Sequence, residues 1–270
     1  MIHHKYEDKY FPNENIVNQG MNMNFIITLT SYGQRLLTIH FCLESIFSQS
    51  FIPDKIILNL HEHEIIHDNI VPYLSKGLII NRFSHDYHSH NKYLYVMREY
   101  PNDTIITLDD DVVYPNDLLK LLIDSYIKYP KAISAGRVHG IRLDNSGNLL
   151  SYTKWCWEQK LYETPSMHLF ATGVGGVLYP SNCMHKDVLD GNKINSLCLY
   201  SDDVWLKFMQ VLNATPVVQI KQTVQHPKSI SGLVGEKLYI KNKLEGRNDQ
   251  YLKYLTEIYK IDWKKVLNHE

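Results

Sequence analysis

The stretch "TIITLDDDVVYPNDLL", Thr104–Leu119, decides how the rest of the chain is read. An apolar run, Thr104–Leu108, has the look of a buried strand and stops at three adjacent carboxylates, Asp109, Asp110 and Asp111. Like charges repel, and removing them from water costs several kcal/mol each unless something compensates. A divalent cation is the simplest compensation. Hard carboxylate oxygens two residues apart on a strand-end turn suit Mg2+ or Mn2+, which commonly keep phosphates or waters as further ligands. The plain alternative is a solvated acidic turn or a helix N-cap. Pro115 and Asn116 then open an apolar-periodic helix, Asn116–Tyr129.

Upstream, the pattern repeats. Asn24–Thr30, Lys55–Leu60 and Gly77–Phe83 read as strands, and Gln34–Gln49 and Lys92–Tyr100 as helices. Alternating strands and helices at this spacing predict an α/β fold with a mostly parallel sheet. Ligands of such sheets bind beyond the carboxyl ends of the strands, where Asp109–Asp111 and Ser31–Arg35 both fall. The second half is less regular. Lys131–Asp144 reads as one long strand, Ser201–Asn213 as a helix with acids in its first turn, Thr215–Ile220 as a strand and Asn248–Ile261 as a closing helix. We expect a single domain over 1–270, with a ligand-binding half at about 24–130 and an elaborated half at about 131–270.

Composition narrows the class. The 270 residues are 44% apolar and 21% charged with a formal net charge of −1, which offers no general field for nucleic acid. The four cysteines form no CxxC pair and predict reduced thiols in a cytoplasmic protein. The first residues carry no apolar signal segment, and no run reaches the length of a membrane span. Fourteen histidines invite a zinc reading at His61, His63 and His67 or at His85, His88 and His90, but neither spacing makes a clean tetrahedral set.

Asp109-x-Asp111-x-Val113 fits two enzyme classes. One is the haloacid-dehalogenase-like phosphatases, in which the first Asp is a nucleophile and the second an acid/base, with Mg2+. Those enzymes place the motif on their first strand, whereas here three strands precede it. The other follows from the order of "IITLTSYGQRL", "DYHSHNKYLYVMREYPNDTIITLDDDVVYP" and "YSDDVWLKFMQVLNATPV" along the chain. That order resembles GT-A-fold glycosyltransferases, specifically bacterial family-2-like enzymes of surface-polysaccharide synthesis, from about residue 24 to 213.

The resemblance implies a GT-A fold and a set of roles. Thr30, Ser31, Tyr32 and Arg35 would hold the nucleotide of a nucleotide-sugar donor, most simply a UDP-sugar. Asp86 and Lys92 would serve the base and diphosphate, although the glycine that often separates such a pair is replaced by "YHSHN". Asp109 and Asp111 would take Mn2+ or Mg2+, with His226 as a third ligand, and Asp110 would contact ribose or sugar. Asp203 would be the general base that deprotonates the acceptor in an inverting reaction, with Asp202 beside it. The "ATGVGGVLYP" segment would border the donor sugar through Gly175 and Gly176. The acceptor would be a glycan or lipid-linked oligosaccharide, reached by peripheral membrane contact. A sugar nucleotidyltransferase and a non-catalytic sugar-binding protein are further alternatives. The first is disfavoured by the lack of a basic, glycine-rich loop near the N-terminus. The second would be indifferent to loss of Asp203.

Overall fold

The computed structural model describes residues 24–157, 164–221, 227–230, 242 and 246–268. Its centre is a seven-stranded sheet. The first three strands are β1 (Phe25–Thr30), β2 (Lys55–His61) and β3 (Leu78–Phe83), and the fourth is β4 (Thr104–Thr107). A two-residue β5 (Val112–Val113) follows the acids, and β6 (Ile133–Ala135), β10 (Val177–Tyr179) and β11 (Val217–Gln219) complete the sheet in the order β11-β6-β10-β4-β1-β2-β3. Only β10 runs antiparallel to its neighbours, β4 and β6. Strands from both halves of the chain therefore share one sheet.

The central strands β1, β2 and β4 are buried on both faces, as their near-continuous apolar runs require. Alternate residues divide between two layers. Ile27, Leu29, Leu58 and Ile106 face α1 (Ile39–Phe47) and α4 (Leu118–Lys128) through Leu43, Ile46, Leu119 and Leu122. Ile26, Ile57 and Ile105 face Val96 on α3 (Asn91–Glu99). Each such side chain contributes about 1.5–3 kcal/mol on burial. The strand end carrying the acids is thus fixed by its neighbours on both sides. The remaining helices are α2 (Val71–Leu74), α5 (Gly191–Leu197), α6 (Asp202–Leu212), α7 (Arg247–Tyr259) and α8 (Trp263–Asn268). Trp205 and Phe208 of α6 lie in the core with Tyr93 and Leu94 of α3.

Several sequence expectations change here. The long strand over Lys131–Asp144 is two short ones in different sheets, β6 and β7 (Val138–Gly140); β7 pairs with β8 (Cys156–Trp157) and β9 (Leu169–Ala171). The break falls at Gly136, where a Cβ would lie 2.1 Å from the carbonyl oxygen of Gly175. Only glycine allows that approach. The helix expected over Gln34–Gln49 is a 3-10 turn, Gly33–Leu37, followed by α1. Trp155 is core, wedged against Tyr152 and Phe170.

Candidate active site

The acids end β4 at the centre of the sheet, and their backbone is clamped from below. The Asp109 N–H donates to the Tyr114 hydroxyl (2.7 Å), and the Cys42 thiol donates to the Asp109 carbonyl (3.3 Å). The side chains then diverge. Arg35 binds Asp110 through a two-pronged contact, with Nε 3.1 and 2.9 Å from the two carboxylate oxygens, and reaches Asp111 at 2.9 Å. Burial opposes the Arg35 charge, but the carboxylates outweigh it and the guanidinium stays ionised. Asp109 turns the other way, to the buried ammonium of Lys92 at 2.5 Å.

Lys92 also binds Asp202 at 3.0 Å and thereby joins the strand-end acids to the start of α6. Its helix is fixed to the sheet by a buried polar chain. The Thr28 hydroxyl donates to the Lys92 carbonyl (2.6 Å), Asn59 donates to the Thr28 hydroxyl and the Leu29 carbonyl, and Asn81 donates to the Asn59 side-chain oxygen. Asn59 is fully buried in an otherwise apolar strand. That lone polar residue in "KIILNL" was the signal in the sequence for this chain.

Asp203 accepts from the Gly173 N–H at 3.0 Å. A Cβ on Gly173 would sit 3.1 Å from Lys92 Nζ, 3.3 Å from Asp109 Oδ1 and 3.4 Å from Asp203 Oδ1. Gly173 is therefore the floor of the acid cluster. Burial and the Asp202 charge push Asp203 up to about 8. Burial works on Asp202 too, but Lys92 and His90 outweigh it and hold Asp202 down at about 2. Burial also raises Asp109, against the pull of Lys92. Two neighbouring carboxyls with opposed shifts are the pattern of a cleft that divides acid and base duties.

Asp109, Asp111, Asp202, Asp203, Lys92 and Arg35 come together at this end of the sheet, with important differences from expectation. Asp110 is 6% exposed and engaged by Arg35, so these two serve each other. The Thr30 hydroxyl donates to the Asn59 carbonyl, within the sheet. Ser31 is buried with no partner for its hydroxyl among the described residues, and Tyr32 is exposed beside Arg35. Asp86 accepts from the His88 N–H and the Asn91 side chain, as a cap of the turn before α3. Gly175 and Gly176 are packing positions: a Cβ on the first would meet the Arg137 backbone at 2.4 Å, and on the second the side chains of Leu108 and Leu118 at 3.0 Å. The place by the acids expected for them belongs to Gly173. His226 lies outside the described residues. Two residues on, β12 (Lys228–Ser229) pairs with β5, and the Ile230 N–H donates to the Asp111 carbonyl.

Among the described residues the histidines do not assemble a zinc site. His90 is buried between the Tyr93 hydroxyl and the Cys198 carbonyl, and burial lowers it to about 4. Among the described residues no three His, Cys, Asp or Glu side chains converge as a ligand set. Asp109 and Asp111 nevertheless offer hard oxygens on one turn, and the Asp111 side chain is 36% exposed. Carboxylate oxygens are the donors that Mg2+ or Mn2+ takes, and here Asp109 is turned to Lys92 and Asp111 to Arg35. Among the described residues no helix is long and apolar enough to cross a membrane.

The sequence matches no family profile and no curated protein. In structure, the chain is similar to S. aureus TarS. With TarS 1-349 in complex with UDP it shares 12% identity at a TM-score of 0.53, covering 88% of this chain and 72% of that one. With the UDP-GlcNAc complex the TM-score is 0.52, over 89% and 74%. Against TarS 1-349 described without a ligand, the TM-score is 0.51, and this chain spans 61% of that one. The mostly parallel seven-stranded sheet flanked by helices is the GT-A arrangement of these neighbours.

Proposed function

We propose that the chain is a nucleotide-sugar-dependent glycosyltransferase that acts with inversion and uses Asp203 as general base. The observation that carries this reading is the split pair at the start of α6. Among the described residues Asp203 pairs with no cation and is held by one backbone N–H, and burial with the Asp202 charge pushes it up to about 8. A carboxyl with a pKa near working pH is a competent proton acceptor in the transition state. The acceptor hydroxyl would give its proton to Asp203 as its oxygen attacks the anomeric carbon and the bond to the nucleoside diphosphate breaks. Asp202, kept ionised by Lys92, maintains the field that raises Asp203.

TarS has been crystallised with UDP and with UDP-GlcNAc, and we carry the UDP-sugar class to this chain as part of the proposal. Asp109 and Asp111 would hold Mn2+ or Mg2+, which when bound supplies Lewis-acid neutralisation of the leaving diphosphate. Lys92 then faces two claims, from Asp109 and from phosphate, and its position between the two acid groups suits it to both. The acceptor is a glycan or a lipid-linked oligosaccharide, as in surface-polysaccharide synthesis. What favours transfer over phosphoester hydrolysis is Asp202–Asp203, a second acid pair that the phosphatase reading leaves unused.

Calorimetric titration with UDP, with and without Mn2+, tests the donor site. Metal-dependent binding that Asp111→Ala abolishes supports it. Absence of binding by UDP, GDP and CDP alike overturns it.

A further inference from the structure

Beyond the cleft, three separate segments meet at one junction. Its buried layer is polar. The His90 ring bonds the Cys198 carbonyl, the Cys198 thiol donates to the Ser201 carbonyl, and the Ser201 hydroxyl donates to Asn248 at 2.8 Å. These bonds tie the starts of α3, α6 and α7 together. The outer layer is one residue or two away on each segment: His88, Tyr200 and Arg247. The His88 ring lies 4.9 Å from the Tyr200 ring, and the Arg247 guanidinium carbon lies 4.9 Å from the same ring. Tyr200 is 39% exposed and stands three residues before Asp203. His88 holds its place with a left-handed backbone, φ 54°.

Charge separates this cluster from the donor side. Arg35 and Lys92 are both held by carboxylates. His88 has Asp86 at 3.9 Å. Arg247 has no carboxylate among the described residues. Its one polar contact there is a long bond, 3.4 Å, to Asn242, whose amide donates to the Tyr200 carbonyl. Nearby Asp249 is occupied in accepting from the Tyr152 N–H. Among the described residues the Arg247 guanidinium thus meets only the Asn242 amide and the Tyr200 ring, and a guanidinium laid on an aromatic ring still presents N–H donors to a planar or tetrahedral anion.

We propose that His88, Tyr200 and Arg247 form an acceptor subsite for a saccharide bearing an anionic group, a phosphate or a carboxylate. This rests on the glycosyltransferase reading, because the subsite is assigned to the acceptor by Tyr200, which leads into the helix start that carries Asp203. Arg247 supplies the charge through paired N–H donors, His88 adds a ring N–H, and Tyr200 fixes both and offers ring surface to the sugar.

The test uses the full chain with Mn2+ and saturating UDP, titrated with glucose 6-phosphate, glucuronate, glucose and inorganic phosphate by ligand-observed NMR. Both anionic sugars are expected to bind and glucose not to. The tighter of the two identifies phosphate or carboxylate as the preferred group. Arg247→Gln should weaken the anionic sugars about tenfold, the loss of one charge-assisted contact, and Arg247→Lys should restore part of the affinity. UDP affinity should be the same in both variants, and thermal melts check that they fold. Equal binding of glucose, no effect of Arg247→Gln, or inorganic phosphate binding as well as the sugar phosphate would overturn the proposal while leaving the donor site intact. Weakened UDP binding in Arg247→Gln would instead make Arg247 a donor ligand and also overturn it. If wild-type protein fails to bind UDP, the transferase reading falls and the acceptor subsite falls with it.

Discussion

The two acid groups of the cleft are built from one residue type and held in opposite ways. Asp109–Asp111 end a buried strand, and every carboxylate there meets a cation, Lys92 or Arg35. Asp202 and Asp203 open a helix, and among the described residues they have one ion-paired cation between them, which goes to Asp202. Asp203 keeps a single backbone N–H. Asp202 is consequently held at about 2 and Asp203 rises to about 8, although both are buried. Burial pushes both up, and reach to Lys92 decides which of the two is held down. One ammonium thus creates both an anchored anion and a proton acceptor.

Removing the odd member of that comparison should have the largest effect. Asp203→Asn is expected to lower turnover by roughly 100- to 10,000-fold, the usual worth of a general base. UDP affinity by calorimetry should not change, and a parallel loss of both would move Asp203 from proton transfer to donor binding.

Removing the shared cation comes next. Lys92→Met leaves Asp109 and Asp202 facing each other without a counter-charge. Breaking a buried pair costs about 3–5 kcal/mol. Urea melts should show a clearly lower midpoint, and an unchanged midpoint would mean the acids are solvated rather than paired.

The pH dependence sharpens the contrast, because the two groups have opposite signs. Asp203 titrates higher in the native state than in the unfolded chain. Between the unfolded value of 3.8 and about 8, the native state binds the extra proton, so its contribution to stability falls as pH rises. Asp202 titrates lower when native; its contribution is complete above 3.8 and is lost as pH falls through about 2. The Tm gain of Asp203→Asn over wild type should therefore grow from pH 5 to pH 8. Turnover of the wild type should rise over the same range as Asp203 loses its proton. A gain in Tm that shrank with pH would reverse the assignment.

The smallest effect tests the floor between the two groups. A Gly173→Ala Cβ meets only the mobile ends of Lys92, Asp109 and Asp203, at 3.1–3.4 Å. Those ends can yield, so stability should change by less than about 1 kcal/mol, while the displaced carboxylates lower turnover severalfold. Measuring Tm and turnover together separates this from general unfolding.

Much of this was legible in the chain. The burial of β1, β2 and β4 on both faces follows from their apolar runs, and the run from Thr104 ending in Asp109 located the mouth of the sheet. "SDDVW" reads as a helix start, and α6 begins there. The glycines were harder: Gly173, Gly175 and Gly176 look alike in "ATGVGGVLYP", and their neighbours on other segments decide that Gly173 borders the acids while the other two pack. Asp110 was assigned to substrate, because nothing local in "SYGQRL" says that Arg35 will fold back on a residue 75 positions later.

The sequence by itself determined the layers of the fold and the two places where acids gather. Hydrophobic alternation and strand-end polarity act over a few residues, and a linear pattern records them. Tertiary structure decided which acid meets which cation, which hydroxyls are consumed within the sheet, and that Arg247 lies on the Tyr200 ring. Those outcomes depend on distances of 2.5–5 Å between residues far apart in the chain. Electrostatic energy falls off with separation in space, which chain position alone does not record.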